Sequence, residues 1–290
     1  MIIACIPAYN EEETIAKVVL LAKREVDEVI VCDDGSEDLT SSLAEAVGAR
    51  LIRHSKNMGK GAALRSLFNY SRKNGADIIV TLDADGQHDP NEIPKLIVPI
   101  QNGEADVVIG SRFKKGNRIS MPRYRRIGNK LLNFLTNVPV NGNISDTQSG
   151  YRAYSKKALD EIEVSENGIG VDSQIAMDAK GKRLRIVECS IGCTYGKGAS
   201  TYNPVRHVVD VIVGLIRVVT EKRPLFYLGI PGALLLIIGM LLIVFMLNAY
   251  LTAGEFSVVT ALFAMGSLLT GLLLAFAAII LKAIKRLKTH

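Results

Sequence analysis

An acidic turn is the part of the sequence most able to do chemistry. The ten residues TLDADGQHDP, Thr81 to Pro90, hold three carboxylates and a histidine directly behind the apolar run Ile78 to Val80. Asp83 and Asp85 flank one alanine, so in an extended chain they share a face and can approach one divalent cation. Mg²⁺ usually binds one or two carboxylates plus phosphate oxygens. The spacing indicates a metal site for a diphosphate, while an ordinary Asp-rich surface turn is the alternative interpretation.

Two further polar stretches follow apolar runs and could anchor a nucleotide. Asp33 and Asp34 can accept hydrogen bonds from a base and a ribose, although either could instead cap the next helix. The stretch Asn57 to Gly61 offers a glycine-permitted turn with one cation, Lys60, near the phosphates. It lacks the glycine spacing and the Lys-Ser/Thr pair of a P-loop.

The elements that would position these residues alternate between strand-like and helix-like runs. The predicted strands are Ile2–Ile6, Glu28–Cys32, Arg50–Arg53, Asp77–Leu82 and Asp106–Ile109. The predicted helices between them are Glu12–Arg24, Leu39–Val47, Gly59–Lys73 and Asn91–Ile100. This rhythm predicts an α/β fold with a mostly parallel sheet and helices on both faces. Functional residues of such sheets gather beyond the carboxyl ends of the strands, so the polar turns should meet in one crevice.

Two long uncharged runs close the sequence, Leu225 to Leu247 and Phe256 to Leu281. As helices each would span roughly 30 Å or more, the hydrocarbon thickness of a bilayer. They predict two transmembrane helices, and a buried hairpin of a soluble protein is the alternative. The link between them has no Lys or Arg, whereas basic residues flank both outer ends. The positive-inside rule therefore predicts a cell-membrane protein whose catalytic domain and both termini are cytoplasmic.

The formal net charge of +6 suits an anionic membrane surface, and no nucleic-acid-binding motif is found. The start, MIIACIPAYN, lacks the basic and long apolar regions of a signal peptide. The pattern of Asn203 to Val219 predicts an amphipathic helix that lies in the membrane interface. The alternative is an ordinary amphipathic helix packed on the domain. The predicted domains are 1–200, an interfacial helix at 201–222, and a transmembrane hairpin with a basic tail at 223–290. Glycines in the hairpin could pack against copies of the same chain as a homo-oligomer.

The combined motifs resemble the inverting glycosyltransferase family 2 with its GT-A fold. They are Ile6 to Glu12, Asp33 to Ser36, Asn57 to Gly61, Asp83 to His88 and Ser111 to Phe113, in this order. More narrowly, the chain resembles the polyprenyl-phosphate, or dolichyl-phosphate, sugar synthases. The resemblance covers about the first 200 residues.

The resemblance implies a role for each matching residue. The nucleotide-binding residues would be Pro7, Tyr9, Glu11, Asp34, Lys60 and Asp83. The metal ligands for Mg²⁺ or Mn²⁺ would be Asp83, Asp85 and Gln87, and the catalytic set would be Asp85, Gln87, Arg112 and Arg126. The segment Asp146 to Arg152 is similar to a later family segment that closes the site around the sugar, through Asp146, Ser149 and Gly150.

A basic run points to the acceptor. A phosphate monoester is largely a dianion near neutral pH, its second pKa being roughly 6, so it needs positive charge rather than a base. Eight Lys and Arg residues and no acidic residue lie between positions 112 and 130. The resemblance favours Arg112 and Arg126 as clamps for the acceptor phosphate, with Lys197 as a further candidate. One alternative is that the run only attracts anionic headgroups. A separate alternative is that Asp172 or Glu188 acts as a base for a hydroxyl acceptor.

These observations predict inverting transfer of a sugar from a nucleotide-sugar donor to a membrane polyprenyl (dolichyl) phosphate, for protein or surface glycosylation. UDP-glucose or UDP-N-acetylglucosamine is favoured slightly as donor, and GDP-mannose stays open. The alternatives are a family 2 transferase acting on a hydroxyl of a lipid-linked glycan or polysaccharide, a sugar-1-phosphate nucleotidylyltransferase, and a non-catalytic membrane scaffold.

Overall fold

The structure is a computed structural model and describes residues 1–113, 144–168, 170–192 and 224–288. The chain forms two compact units, Met1–Val211 and Ile212–His290. The boundaries predicted at 200 and 222, the interfacial helix at 201–222, Arg126, Lys197 and the basic run beyond Phe113 lie outside the described residues. The predicted three-part division stays a prediction.

Seven strands of the first unit form one mixed sheet in the order β3-β2-β1-β4-β6-β5-β7. The strands are β1 Ile2–Ala8, β2 Glu28–Asp33, β3 Arg50–Arg53, β4 Ile78–Thr81, β5 Val107–Ser111, β6 Arg152–Ser155 and β7 Ile186–Ser190. All pairs are parallel except those made by β6 with β4 and β5. The predicted mostly parallel α/β sheet is therefore confirmed.

Helices cover both faces of this sheet, as predicted. They are α1 Ile15–Ala22, α2 Thr40–Ala46, α3 Lys60–Lys73, α4 Ile93–Gln101, α5 Lys156–Glu161 and α6 Val171–Gly181. Because successive strand residues point to opposite faces, Ile3 and Cys5 of β1 pack with α3, α5 and α6, whereas Ala4 and Ile6 pack with α1, α2 and α4. β1 therefore lies between two apolar cores.

Strand β6 was not predicted from the sequence, and it changes the order of the sheet. It runs antiparallel between β4 and β5, with Val80 opposite Ala153 and Val108 opposite the same residue. Its Arg152 is fully buried, so a charged residue occupies a position that pattern reading assigns to solvent. Helix α1 begins later than predicted because residues before Ile15 make loop contacts, such as the hydrogen bond from the Glu12 amide to Asp38 Oδ2 at 3.1 Å.

The second unit contains two long apolar helices, α7 Ile230–Ala253 and α8 Val258–Lys288. Windows of 18 residues within Leu225–Ala253 and Val258–Ile284 reach mean hydropathies of 2.8 and 2.3, and both stretches are long enough to cross a membrane. A Cβ on Gly232 would lie 2.9 Å from the Gly271 carbonyl oxygen, and one on Gly271 would lie 2.8 Å from that of Gly232. Small residues at this crossing let the two backbones approach closely.

Candidate functional site

The sheet topology brings the predicted motifs to one edge. β4 is antiparallel to β6 and β6 is antiparallel to β5, so the carboxyl ends of β1, β2, β4 and β5 share an edge with the amino end of β6. The turns that follow these strands carry Glu11, Asp34, Asp83 and Arg112. The crevice expected beyond the strand ends therefore receives side chains from the turns after four strands.

Three carboxylates crowd together at this edge. Burial and then the charge of Asp85 raise the pKa of Glu11 to about 7. Burial and then the charge of Asp83 raise the pKa of Asp85 to about 6. The carboxylate of Asp85 accepts one hydrogen bond, from the Gln87 amide at 3.0 Å. The repulsion among these three carboxylates indicates that this edge of the sheet favours binding of a cation.

Lys60 supplies one positive charge at this place. Its ammonium lies 2.6 Å from Asp83 Oδ1 and 3.0 Å from Asp172 Oδ2. Burial lowers the pKa of Lys60, but Asp172 and Asp83 outweigh it and raise the pKa above its ordinary value. Burial raises the pKa of Asp83, and Lys60 more than reverses this, so the pKa of Asp83 is lowered. The ion pair keeps both groups charged at neutral pH.

Gly150 lies directly against this pair. The Thr81 hydroxyl donates a 2.8 Å hydrogen bond to the Gly150 carbonyl oxygen, which fixes the start of β6 beside the end of β4. A Cβ on Gly150 would lie 2.6 Å from Asp83 Oδ2 and 2.7 Å from the Lys60 ammonium. Only glycine fits here without displacing a charged group.

Arg112 is held in a fixed orientation by Asp146. Its Nε donates to Asp146 Oδ2 at 2.7 Å and a terminal nitrogen donates to Oδ1 at 2.9 Å, a bidentate arrangement. Asp146 is fully buried, and its main-chain amide donates to Glu188 Oε1 at 3.2 Å. The Ser145 amide donates to the same Glu188 oxygen at 2.9 Å. Asp146 and Glu188 therefore position Arg112.

The rest of the Asp146 to Arg152 segment is buried and is stabilised by its own arginine. Arg152 donates at 2.8 Å to the carbonyl oxygens of Thr147, Ser149 and Asp172. The Ser149 side chain is fully buried. The segment that the resemblance assigns to site closure is thus a rigid wall that also fixes the start of α6, where Asp172 lies.

Asp34 stabilises the turn that precedes Lys60. Its carboxylate accepts hydrogen bonds from the amides of Met58 and Gly59 at 3.0 and 2.6 Å, and its side chain is 4% exposed. Gly59 has φ +95°, which favours glycine, and a Cβ on it would lie 2.2 Å from the Asn167 carbonyl oxygen. A contact of Asp34 with a nucleotide stays a prediction, since the observed contacts are within the protein.

A cavity of about 580 Å³ adjoins these turns. It is lined by Tyr9, Gly35, Ser36, Glu37, Arg53, His54, Ser55, Lys56 and Asn57. Tyr9 was predicted from the sequence, whereas Arg53, His54 and Lys56 were missed. Their position at or just after the end of β3, at the same edge as the predicted turns, was the available signal. Pro7 lies in β1 opposite Cys32 of β2 and helps form the strand end behind Tyr9.

His88 lies in the acidic turn but does not face solvent. Its side chain is buried, and its ring lies 5.1 Å from that of Tyr151. Burial lowers the pKa of His88 to about 4, so the imidazole is neutral at physiological pH. Its Nδ1 has no hydrogen-bond partner within the described part of the chain. A buried acceptor or donor of this kind is suited to a ligand or a water molecule.

The acidic residues have the chemistry of a site for a hard cation. Among the described residues, no group of three or more His, Cys, Asp or Glu side chains is arranged to hold a metal ion. Asp83 and Asp85 offer two carboxylates, the number that Mg²⁺ often takes together with phosphate oxygens. Burial raises the pKa of Asp85 most, and repulsion from Asp83 raises it further. A divalent cation bound between the two carboxylates would relieve this repulsion. The donor set fits Mg²⁺ or Mn²⁺ held jointly with a diphosphate.

The mixed, mostly parallel sheet with this acidic edge is a GT-A-type fold, similar to that of solved glycosyltransferases. The sequence model described as Glycosyl transferase family 2 matches residues 3–163, more than half of the chain. The chain belongs to this family.

Several known proteins are similar to the chain. The UDP-N-acetylglucosamine–dolichyl-phosphate N-acetylglucosaminyltransferase of Methanococcus voltae is 35% identical over 216 residues, covering 67% of this chain and 86% of that protein. The dolichol-phosphate mannosyltransferase of Pyrococcus furiosus is 30% identical over 223 residues, covering 70% of this chain and 61% of that protein. Glucosyl-3-phosphoglycerate synthase from Mycobacterium tuberculosis, solved with Mg²⁺ and UDP, has a TM-score of 0.60 and 26% identity, covering 75% of this chain and 79% of that one.

Proposed function

We propose that the protein transfers a sugar from a nucleotide-sugar donor to the phosphate of a membrane polyprenyl phosphate, with inversion at the anomeric carbon. The observation that carries the proposal is the meeting of Asp83, Asp85, Lys60 and Arg112 at one sheet edge beside the Tyr9 cavity. Carboxylates suit a metal-bound diphosphate, and the two cations suit phosphate groups.

Observed contacts favour a phosphate acceptor over a hydroxyl acceptor. A hydroxyl acceptor needs a carboxylate base within reach of its proton. Asp172 accepts a hydrogen bond from the Lys60 ammonium at 3.0 Å, and Glu188 Oε1 accepts from Ser145 and Asp146. Both carboxylates that the sequence analysis named as possible bases, Asp172 and Glu188, already have structural partners. A phosphate dianion attacks without such help.

The residues of the site would divide the work as follows. Tyr9 and the cavity after β3 hold the nucleoside, while Asp83, Asp85 and Gln87 hold Mg²⁺ or Mn²⁺, which supplies charge neutralisation for the departing diphosphate. Lys60, fixed between Asp83 and Asp172, supplies a further positive charge beside the diphosphate.

Acceptor binding falls to the other half of the site. Arg112, oriented by Asp146, presents its guanidinium to the acceptor phosphate, and the family resemblance adds Arg126 and Lys197. Holding donor and acceptor in line removes the entropic cost of bringing them together. Asp146, Ser149 and Gly150 form the wall beside the sugar.

A uridine diphosphate sugar is the proposed donor. The relative from Methanococcus voltae is named for UDP-N-acetylglucosamine, and the similar structure from Mycobacterium tuberculosis was solved with UDP. The proposed location is the cell membrane, anchored by the two apolar helices. The catalytic unit and both ends of the chain would face the cytoplasm, since the basic residues flank the outer ends of those helices.

The test is a transfer assay with purified full-length protein in detergent and Mn²⁺. Labelled UDP-glucose, UDP-N-acetylglucosamine and GDP-mannose are each offered with dolichyl phosphate, with the unphosphorylated dolichol, or with 3-phosphoglycerate. We expect label in the organic phase only with dolichyl phosphate and a UDP-sugar. Transfer to dolichol or to the soluble phosphate would refute the proposed acceptor, and transfer from GDP-mannose alone would refute the proposed donor.

A pair of variants in the acidic turn completes the test. Asp85→Asn removes one proposed metal ligand and should abolish transfer at saturating Mn²⁺. Asp89→Asn is the matched control, because Asp89 is exposed and its side chain only caps the short turn at Asn91. Near-normal turnover by Asp85→Asn would contradict the proposed site.

A further inference from the structure

His54 makes an unusually complete set of contacts behind the candidate nucleotide cavity. Its Nδ1 lies 2.6 Å from Asp34 Oδ1. Its Nε2 lies 2.9 Å from Ser66 Oγ and 3.6 Å from Cys32 Sγ. Only 11% of the side chain is exposed, and the exposed part lines the 580 Å³ cavity.

The contacts of Asp34 decide how the ring is protonated. An ionised carboxylate only accepts hydrogen bonds, and Asp34 already accepts from two main-chain amides. His54 Nδ1 must therefore carry a proton and donate it to Asp34. In the neutral ring Nε2 is then the acceptor for the Ser66 hydroxyl. The hydrogen bond to Asp34 thus sets both the tautomer and the orientation of the imidazole.

The same hydrogen bond links the end of β3 to the ion pair of the site. Asp34 holds the amides of Met58 and Gly59, and Lys60 follows directly with its ammonium 2.6 Å from Asp83. The Gly61 amide donates to the Asn167 carbonyl oxygen at 3.0 Å, so the turn is also held from the opposite side. Without the His54 donor, Asp34 would lose one of its three hydrogen bonds and could rotate away from the turn.

We infer that His54 is a positioning residue for the donor nucleotide, acting through Asp34 on the Met58–Lys60 turn. The inference rests on the proposed function. Its working contact is Nδ1–H to Asp34, and the Nε2 contact to Ser66 only keeps the ring in place. His54 thereby couples the wall of the nucleoside cavity to the cation beside the diphosphate.

Two conservative variants separate the two ring contacts. The side-chain amide of His54→Asn places a donor near the position of Nδ1, so this variant keeps the hydrogen bond to Asp34 and loses the hydrogen bond with Ser66. The longer side-chain amide of His54→Gln reaches the position of Nε2, so this variant keeps the hydrogen bond with Ser66 and loses the hydrogen bond to Asp34. Each variant retains one polar contact of the original ring, so a purely structural role predicts similar effects of the two on stability and on nucleotide binding.

The measurements are calorimetric affinity for UDP and for GDP with Mn²⁺, and the thermal midpoint, for the full chain in detergent. We expect His54→Asn to bind the nucleotide nearly as wild type and His54→Gln to bind about tenfold more weakly, as a lost hydrogen bond to a charged group implies. Their thermal midpoints should stay close to each other. Transfer assays should show the His54→Gln defect in KM for the donor more than in kcat.

The outcomes separate this inference from the proposed function. Equal nucleotide affinity of the two variants, or an affinity that simply follows the thermal midpoint, would overturn the positioning role while leaving the transferase intact. A wild-type protein that binds neither UDP nor GDP would instead refute the proposed function itself.

Discussion

Gly150 leaves no room for a side chain beside the Asp83–Lys60 pair, and replacing it by alanine tests whether that pair is the centre of the site. The added Cβ would lie 2.6 and 2.9 Å from the two Asp83 carboxylate oxygens and 2.7 Å from the Lys60 ammonium. Real Cβ atoms do not approach so closely, so the carboxylate, the ammonium or the start of β6 must move. β6 cannot move freely, because the Gly150 carbonyl accepts from Thr81 at 2.8 Å.

The expected magnitudes follow from this geometry. Inserting a methyl group into a filled space costs about 1–3 kcal/mol of unfolding free energy. For a unit of this size that corresponds to a fall of roughly 2–12 °C in the thermal midpoint. Displacing a catalytic group by about 1 Å can lower turnover on the order of 100-fold. We therefore expect Gly150→Ala to remain folded at the assay temperature while its turnover falls on the order of 100-fold.

A matched substitution in a helix separates these effects. Gly181 ends α6, and a Cβ there would meet nothing within 4 Å. Gly181→Ala should leave transfer unchanged and stabilise the fold slightly, since alanine in a helix is favoured over glycine by about 1 kcal/mol. Thermal unfolding and transfer from the labelled donor are measured for both variants. Wild-type turnover in Gly150→Ala would show that neither Asp83 nor Lys60 needs its observed position, and the reasoning about the site would be wrong.

Three other predictions rest on separate contacts. Arg112→Lys keeps the charge but loses the bidentate contact with Asp146, so KM for dolichyl phosphate should rise by about tenfold or more in steady-state assays. Hydrogen bonding from Arg185 lowers the pKa of Asp106, so the charged form of Asp106 stabilises the fold. Asp106→Asn should therefore be less stable than wild type in urea unfolding at neutral pH, and this difference should be lost as the pH falls below about 4. A Cβ on Gly239 would lie 2.7 Å from Leu268 of the facing helix, so Gly239→Ala should lower the thermal midpoint of the hairpin in detergent. Gly266→Ala is the control and should not lower it, because a Cβ there meets nothing within 4 Å.

The regular part of the fold was predictable because its signals are local. Short apolar strands separated by amphipathic helices specify a parallel sheet with two covered faces, and every strand predicted up to Ile109 is present within a few residues. The acidic turn was predictable for the same reason, since a polar turn directly after a buried strand must lie at the sheet edge. Gly150 was reachable only through the family resemblance.

The insertion of β6 was not predictable from pattern alone. Its four residues, Arg152 to Ser155, are too short to show a period, and the leading arginine argues against burial. The arginine is buried because the carbonyl oxygens of Thr147, Ser149 and Asp172 accept its hydrogen bonds, and these oxygens come together only in the folded chain. The strand itself is placed by its pairing with β4 and β5, which joins residues far apart in the sequence, such as Val80 and Ala153. The position of β6 in the sheet therefore depends on contacts between residues far apart in the sequence, and the periodicity of a short segment does not reveal such contacts.

The same limit explains why the partners of the site's cations were missed. Lys60 was expected beside phosphates, yet its observed partners are Asp83 and Asp172, the second of which is 112 positions away. An ammonium has three N–H donors, and these two carboxylates take two of them. The third can reach a phosphate oxygen while the first two keep the ammonium in place. A lysine held in this way would lose little freedom when the proposed donor binds, so pairing with carboxylates would prepare Lys60 for a diphosphate rather than block it.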